Sequence, residues 1–149
     1  MRGSGSAVAI LALAAAVATA GCGLGPGKGQ EDVRLTVTRD YGRTALLARS
    51  VSDVTESDTV MRVLERNAEI TTRFGGGFVQ AIDGLEGSGG GGNDWFFYVN
   101  GLWSPVGAAD YPLHGGEAIW WDYRDWSVGE RVAAAVGSWP QPFVDGYEG

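Results

Sequence analysis

The spacing of hydrophobic and polar positions changes along the middle of the chain, and it predicts strands and one helix. Residues 34–38 alternate apolar and polar side chains with a period of two, which predicts a strand rich in β-branched residues. Residues 44–51 form a second apolar segment, which we also interpret as a strand. Residues 58–70 predict a helix capped by Ser57 or Asp58. Its apolar side chains form one stripe, at Val60, Val63, Leu64 and Ala68. Because one stripe cannot build a core alone, we expect the helix to pack against a sheet.

The second half of the chain predicts most of that sheet. Residues 78–82 and 95–99 have the composition of strands, and Asn100-Gly101 predicts a type I′ turn that leads into Leu102-Trp103. Residues 117–126 predict a further strand with two distinct faces. The face expected in the core carries Ile119, Trp121 and Tyr123. The face expected to meet solvent or a ligand carries Trp120, Asp122, Arg124 and Trp126. This order of elements predicts an α+β domain that is β-grasp-like, with a mixed sheet and one packed helix.

The composition divides the chain into four segments. Residues 1–21 have the basic start, the apolar run and the small residues of a signal peptide. Residues 22–32 hold Cys22 and a Gly-rich linker, and residues 33–127 hold the predicted domain. Residues 128–149 show no sustained periodicity and are interpreted as an irregular C-terminal tail.

Cys22 is the only cysteine of the chain, so it has no disulfide partner within an exported protein. The residues Thr19-Ala20-Gly21-Cys22 resemble a bacterial lipobox, although Leu is usual where Thr19 stands. We therefore expect a lipid anchor on Cys22, and with it a lipoprotein at the outer face of the cytoplasmic membrane. The alternative is a secreted protein, cut at Ala18-Thr19-Ala20.

The net charge and the reactive side chains argue against several classes of function. The net charge of −7 argues against nucleic acid as a partner, because phosphates require a basic surface. The chain has one histidine, His114 in a Gly-flanked turn, and no cluster of ligating residues with metal-site spacing. We therefore expect no metal, no cofactor and no enzymatic activity. A glycan-acting enzyme that uses Asp122 or Asp125 is the remaining catalytic alternative.

Aromatic residues are the main indication of a binding site. The strand at 95–99 is apolar on both faces, which predicts either a second covering layer, such as the C-terminal tail, or a platform for a ligand. The best platform candidates, Trp103 and Trp126, stand at the ends of strands. The full set of predicted ligand-binding residues is Trp103, Trp126, Trp120, Tyr98 and Phe78.

Four motifs together resemble a known domain family. These are TVMRVLERN, GGGFVQAIDGL, DWFFYVNG and YPLHGGEAIWWDY, within residues 34–126. In this order they are similar to the bacterial domain family related to the C-terminal β-domain of transcobalamin. The resemblance implies a β-grasp-like fold, export, frequent surface anchoring and binding of cobalamin without a reaction. The matching residues are expected to be a signature of the fold more than ligand contacts; they are Trp95, Tyr98, Asn100, Gly101, Gly116 and Trp121.

The chain differs from the transcobalamins in two respects, and both affect the expected affinity for a ligand. The large helical domain that completes the cobalamin site in transcobalamins is missing from this chain, and so are the disulfides. A lone β-domain buries less of its ligand, so it is expected to bind more weakly unless a partner completes the pocket.

Two hypotheses for the function follow. The first is a surface-anchored module that binds a small amphipathic ligand, with cobalamin or another corrinoid feeding an uptake system, and with a transporter or envelope protein as partner. The alternative is a cell-surface module that binds protein or polysaccharide and has no small-molecule ligand.

Overall fold

The structure is a computed structural model that describes residues 27–127. The predicted signal peptide, Cys22 and the irregular tail lie outside the described residues. Within residues 27–127, no helix is long and apolar enough to cross a membrane. A short 3₁₀ turn at Phe74–Gly76 separates two of the strands. The other regular elements of this part of the chain are β1 (Val33–Arg39), β2 (Thr44–Val51), α1 (Val60–Asn67), β3 (Ile70–Arg73), β4 (Phe78–Ile82), β5 (Leu85–Glu86), β6 (Asn93–Val99), β7 (Leu102–Trp103) and β8 (Ala118–Asp125).

The strands form two sheets. The larger sheet has the order β2-β1-β8-β6-β7, and the smaller has the order β3-β4-β5. In the larger sheet β1 and β8 pair in parallel, whereas the other neighbours pair antiparallel. A first and a last strand that lie side by side, with a helix in the connection between them, are typical of a β-grasp arrangement. The predicted α+β class, with a mixed sheet and one packed helix, is therefore confirmed.

The core lies between α1, one face of the larger sheet and strand β4 of the smaller one. Three residues of the predicted helix stripe, Val60, Val63 and Leu64, are each 0% exposed. The fourth, Ala68, is the C-cap residue and is partly buried. Partners from the sheets include Leu35, Val37, Val79, Val99, Ile119 and Trp121, all in the same cluster of buried side chains. Burial of this apolar surface is the main favourable term in folding the domain.

The helix is shorter than its apolar pattern predicts, and a different residue caps it. Thr59 is the N-cap, because its Oγ1 accepts a hydrogen bond from the Arg62 backbone N–H at 3.3 Å. Asp58 accepts hydrogen bonds from the Thr55 backbone N–H at 2.9 Å and from the Arg66 guanidinium. The chain turns extended at Ala68 and enters β3, so the predicted helical end at residue 70 belongs to a strand.

The second face of β8 is also buried. Trp120, Asp122 and Arg124 are 1%, 0% and 0% exposed, although the alternation predicted a face toward solvent or ligand. Asp122 tolerates burial because its carboxylate accepts hydrogen bonds from Thr38 Oγ1 at 2.6 Å and from the backbone N–H of Tyr41 at 3.0 Å. The sheet therefore has buried side chains on both faces.

The predicted hairpin between β6 and β7 is present. Asn100 and Gly101 both have positive φ, at 48° and 82°, as a type I′ turn requires. Asn100 also joins the hairpin to β8. Its Oδ1 accepts a hydrogen bond from the Ala118 backbone N–H at 2.9 Å, and its own N–H donates to the Ala118 carbonyl at 2.8 Å.

Candidate ligand-binding site

An apolar cleft of about 290 Å³ lies where strand β4, strands β6 and β7 and the loop after β7 meet. We call it the apolar cleft. Its lining is formed by Gly77, Phe78, Val79, Trp95, Phe96, Phe97, Trp103, Ser104, Pro105, Val106, Gly107, Ala108 and Trp121. Most of these side chains are aromatic or aliphatic, which is the usual character of a small-molecule site.

The loop at residues 104–108 forms one wall of the apolar cleft and is held in place by its own hydrogen bonds. Ser104 Oγ donates to the Val106 carbonyl at 2.8 Å and accepts from the Val106 N–H at 3.2 Å. At the other end of the loop, the Ala108 carbonyl accepts a hydrogen bond from the Met61 N–H at the start of α1, at 2.9 Å. This wall is therefore fixed to the helix.

Paired aromatic rings support the inner side of the apolar cleft. Phe97 and Trp121 lie 5.1 Å apart between ring centroids, and Trp95 and Tyr123 lie 5.2 Å apart. The Trp95 indole also donates a hydrogen bond from Nε1 to the Leu85 carbonyl at 3.0 Å. These contacts hold the rings before any ligand arrives, which lowers the entropic cost of binding.

The rim of the apolar cleft exposes apolar side chains to solvent. Trp103 is 39% exposed and Val106 is 45% exposed, and both line the cleft. Leu102, beside Trp103 on β7, is 36% exposed. Exposed apolar residues that cluster around a cavity are typical of a binding surface.

A second cavity, of about 180 Å³, lies next to the apolar cleft and shares Phe78 with it. We call it the polar pocket. It is lined by Arg73, Phe74, Phe78, Gln80, Gly89, Gly90, Asp94 and Trp126. The Trp126 indole donates from Nε1 to Asp94 Oδ2 at 3.1 Å, so the ring and the carboxylate are held together.

The five predicted ligand-binding residues fall into three places. Trp103 and Phe78 line the apolar cleft, and Phe78 and Trp126 line the polar pocket. Trp120 and Tyr98 line neither cavity. They stack with centroids 4.8 Å apart, and Trp120 Nε1 donates to Thr38 Oγ1 at 2.7 Å. Both side chains are buried, at 1% and 0% exposure, and a role in binding stays a prediction for all five residues.

Several lining residues carried no signal that the sequence analysis used. The loop wall residues Pro105 and Val106 follow the hairpin without any periodicity, and only their place next to Trp103 could have indicated them. Arg73 and Phe74 stand at the end of a strand that the helical pattern concealed. Phe74 next to three glycines was the available signal, because glycines indicate a turn and connecting segments lie at the surface.

Glu117 and Asp58 have shifted pKa values, and both carboxyl groups are held by hydrogen bonds within the fold. Desolvation raises the pKa of the Glu117 carboxyl, which is 2% exposed and accepts hydrogen bonds from the Tyr111 hydroxyl at 2.9 Å and the His114 N–H at 2.8 Å. The Arg66 guanidinium lowers the pKa of Asp58 at the start of α1. Among residues 27–127, no group of three or more His, Cys, Asp or Glu side chains is placed to hold a metal ion.

The fold confirms the resemblance that the motifs indicated, at the level of structure. It is the fold of the transcobalamin-like β-domain, as a match to haptocorrin in complex with Cbi shows. That match has a TM-score of 0.53 and 18% identity, and it covers 64% of this chain and 25% of haptocorrin. The chain thus spans about a quarter of haptocorrin, and at this identity the match establishes the fold alone.

Two further comparisons concern less well characterised proteins. The model of a family described as a domain of unknown function, DUF4430, matches residues 57–125. A protein from Ruminococcus gnavus, whose description proposes metal binding, matches with a TM-score of 0.49 and 15% identity, over 64% of this chain and 98% of its own. No curated protein matches the chain.

Proposed function

We propose that this protein is a binding module that catalyses no reaction, and that its apolar cleft takes the hydrophobic part of a small amphipathic ligand. The observation that carries this proposal is the cleft itself, with its fixed aromatic side and an exposed rim at Trp103 and Val106. Its volume of about 290 Å³ is just below the range for small-molecule pockets, roughly 300–1,000 Å³.

We propose a corrinoid as the ligand, and the likeness of fold to haptocorrin in complex with Cbi supports this choice. A corrinoid is much larger than the apolar cleft, so the cleft would hold one part of it. A transporter or another envelope protein would then cover the rest of the ligand and take it onward. Without that partner, binding to this chain alone is expected to be weak.

The ligand is tested by titrating the purified protein with cobalamin and with cobinamide while tryptophan fluorescence is recorded. Absorption by the corrinoid is corrected with free N-acetyltryptophanamide. We expect saturable quenching, because three tryptophans line the cleft. No saturable change up to high micromolar concentration would contradict a corrinoid ligand. A parallel titration uses 1-naphthol, a small amphipathic aromatic molecule. If 1-naphthol gives saturable quenching and the corrinoids do not, the proposed binding module is supported and only the corrinoid is excluded as its ligand.

The location of binding is tested with a matched pair of variants. Val106→Asp places a charge on the rim and should weaken binding about tenfold or more, because the apolar ligand then meets a hydrated carboxylate. Leu46→Asp is the control, since Leu46 is 46% exposed on β2 and lines no part of the cleft, and Val106 is 45% exposed. Equal effects of the two variants would place the binding elsewhere.

We also propose that the protein is an exported lipoprotein anchored through Cys22, with secretion as the alternative. The support is the sequence around the single cysteine, which precedes a Gly-rich linker. Cell fractionation separates the two cases. A lipoprotein stays with the membrane and Cys22→Ala releases it, whereas recovery of the unmodified protein in the medium would contradict the anchor.

A further inference from the structure

Phe74 is the most exposed large apolar side chain in the described part of the chain. It is 86% exposed, and its backbone has a positive φ of 54°, which an aromatic residue rarely adopts. Three glycines follow it, at residues 75–77. Both the exposure and the backbone conformation cost free energy, and neither improves the core. A residue with an unfavourable backbone conformation at the edge of a cavity is typical of a surface that binds a ligand.

Phe74 is one of three aromatic residues that line the polar pocket. Phe78 meets it edge-on, with ring centroids 6.1 Å apart and an interplanar angle of 71°. Trp126 is the third, and two hydrogen bonds hold it. Its Nε1 donates to Asp94 Oδ2 at 3.1 Å, and its backbone N–H donates to the Gly92 carbonyl at 3.2 Å. The pocket therefore has a fixed ring, a partly buried ring and an exposed ring around one small space.

The polar side chains of the pocket carry one positive and one negative charge. Arg73 is about half exposed and lies 3.8 Å from Glu86, which is itself well exposed. Asp94 is 8% exposed, and its Oδ1 accepts a hydrogen bond from the Gly89 N–H at 3.3 Å. Each carboxylate oxygen of Asp94 already accepts one hydrogen bond, and each can accept a second. Gln80 adds an amide to the lining.

The glycine-rich loop allows its backbone to approach Arg73 closely. A Cβ atom at Gly89 would lie 2.9 Å from Arg73 Nη1, and φ at this position is +66°. Gly90 also lines the pocket, and a Cβ atom there would meet no other atom within 4 Å. Glycine at position 89 therefore avoids a clash with the Arg73 guanidinium, which lines the same pocket.

The combination of groups decides between ligand classes. A cation would be repelled by Arg73, and an anion would be repelled by Asp94. A purely apolar molecule would remove water from both charged groups and would offer no hydrogen bonds in place of those that the water made. A neutral ring that has an apolar C–H face and polar hydroxyl edges satisfies every group, because its face packs on the aromatic rings while its hydroxyls donate and accept.

We propose that the polar pocket binds a single pyranose sugar ring, which packs on Phe74 and Trp126 and hydrogen-bonds with Arg73 and Asp94. The pocket volume of about 180 Å³ suits one six-membered ring with its hydroxyl groups. This site is separate from the apolar cleft, although Phe78 lies between the two. The chain would then carry a saccharide site in addition to the proposed site for an amphipathic ligand.

Three probes test the sugar chemistry directly. Methyl β-D-glucopyranoside has a ring face and hydroxyls, 2-methoxytetrahydropyran has the ring without the hydroxyls, and glycerol has hydroxyls without the ring. We follow the indole Nε1–H signal of Trp126 by NMR and assign it with Trp126→Phe. The glucoside should shift this signal saturably, and each of the other probes should bind at least about tenfold more weakly, because hydrogen bonds to charged groups or ring packing are lost.

Two substitutions locate the site. Phe74→Ala and Arg73→Gln change side chains that are 86% and about half exposed, so neither is expected to unfold the domain. Each should weaken glucoside binding roughly fivefold or more. Val106→Asp, in the apolar cleft, should leave glucoside binding unchanged. Conversely, Phe74→Ala should leave ligand binding in the apolar cleft unchanged.

The outcomes are separable from those of the proposed function. The saccharide site is excluded if the glucoside gives no saturable shift, if 2-methoxytetrahydropyran binds equally well, or if neither Phe74→Ala nor Arg73→Gln weakens binding. In each of these cases, quenching that depends on Val106 would still support the apolar cleft. A series from glucoside to cellotetraose distinguishes a polysaccharide, which binds more tightly with length, from a free sugar, which does not.

Discussion

Two buried tryptophans of the domain differ in one hydrogen bond. Trp95 and Trp121 are 4% and 3% exposed, and each packs against one aromatic ring at a centroid distance near 5 Å. Trp95 donates from Nε1 to the Leu85 carbonyl at 3.0 Å, whereas the Nε1–H of Trp121 has no hydrogen-bond partner in the described domain. The two residues are thus matched in type and in burial, and they differ in whether the indole N–H makes a hydrogen bond.

We expect Trp95→Phe to destabilise the protein more than Trp121→Phe. Both changes remove similar volume, but only the first takes this donor away from the partly buried Leu85 carbonyl, which should add about 1 kcal/mol to the loss. Urea denaturation of the two variants at pH 7 measures the difference in the free energy of unfolding. Equal losses would show that the Trp95 hydrogen bond contributes nothing to stability.

Among the elements, the β6–β7 hairpin depends on Asn100 in two ways. Asn100 supplies a positive φ of 48° and also an acceptor for the Ala118 N–H, so it sets both the turn and its contact with β8. These two roles can be separated, because glycine keeps the conformation and loses the side chain, whereas alanine loses both.

We expect Asn100→Ala to lower the free energy of unfolding by about 2 kcal/mol, as the sum of a strained backbone and a lost hydrogen bond. Asn100→Gly should lose about half of that, since only the hydrogen bond is removed. Chemical denaturation of both variants tests this. A glycine variant that is as unstable as the alanine variant would mean that the positive φ is not costly here.

Local patterns predicted some of these elements and concealed others. The hairpin was predictable because Asn-Gly determines its geometry within two residues. The start of β3 was not, because Ile70 continues the apolar spacing of the helix, and only pairing with Ile82 across a turn makes it a strand. Similarly, alternation along β8 separates its faces but cannot tell that Asp122 and Arg124 are both buried.

Local sequence patterns predicted less of the candidate site than of the fold. Aromatic composition indicated Trp103, Trp126 and Phe78, and all three line a cavity. The partners that complete each cavity come from distant strands and loops, such as Val106 in one and Arg73 in the other. No local spacing brings these residues together, because the pairing of two sheets determines where they meet.

For the whole molecule, two carboxyl groups make stability depend on pH in opposite directions. The pKa of Asp58 is lowered in the folded state by Arg66, so its contribution is present above the ordinary pKa and is lost as pH falls. The pKa of Glu117 is raised by burial, so its contribution is present in acid and is lost as pH rises through the folded pKa. Tyr111 and His114 are the polar groups that contact this carboxyl.

We expect Glu117→Gln to remove the loss of stability at higher pH. The amide oxygen can accept from the His114 N–H, its NH₂ group can donate to the Tyr111 hydroxyl, and the side chain carries no buried charge. The free energy of unfolding of the variant should therefore rise relative to that of the wild type as pH rises from 4 to 7.5. Urea denaturation at intervals across that range measures the difference. A constant difference across the range would mean that ionisation of Glu117 does not contribute.

The parallel pairing of β1 with β8 has a consequence for the order in which the domain forms. Thr38 and Asp122 are neighbours in the centre of the sheet, yet 84 residues of chain separate them. During synthesis the centre of the sheet must stay open until β8 has left the ribosome, because β1 and β6 share no other strand between them. Sheets closed by such distant contacts fold slowly. For a chain that we propose is exported, slow closure of the sheet is compatible with transport across a membrane before the cavities form.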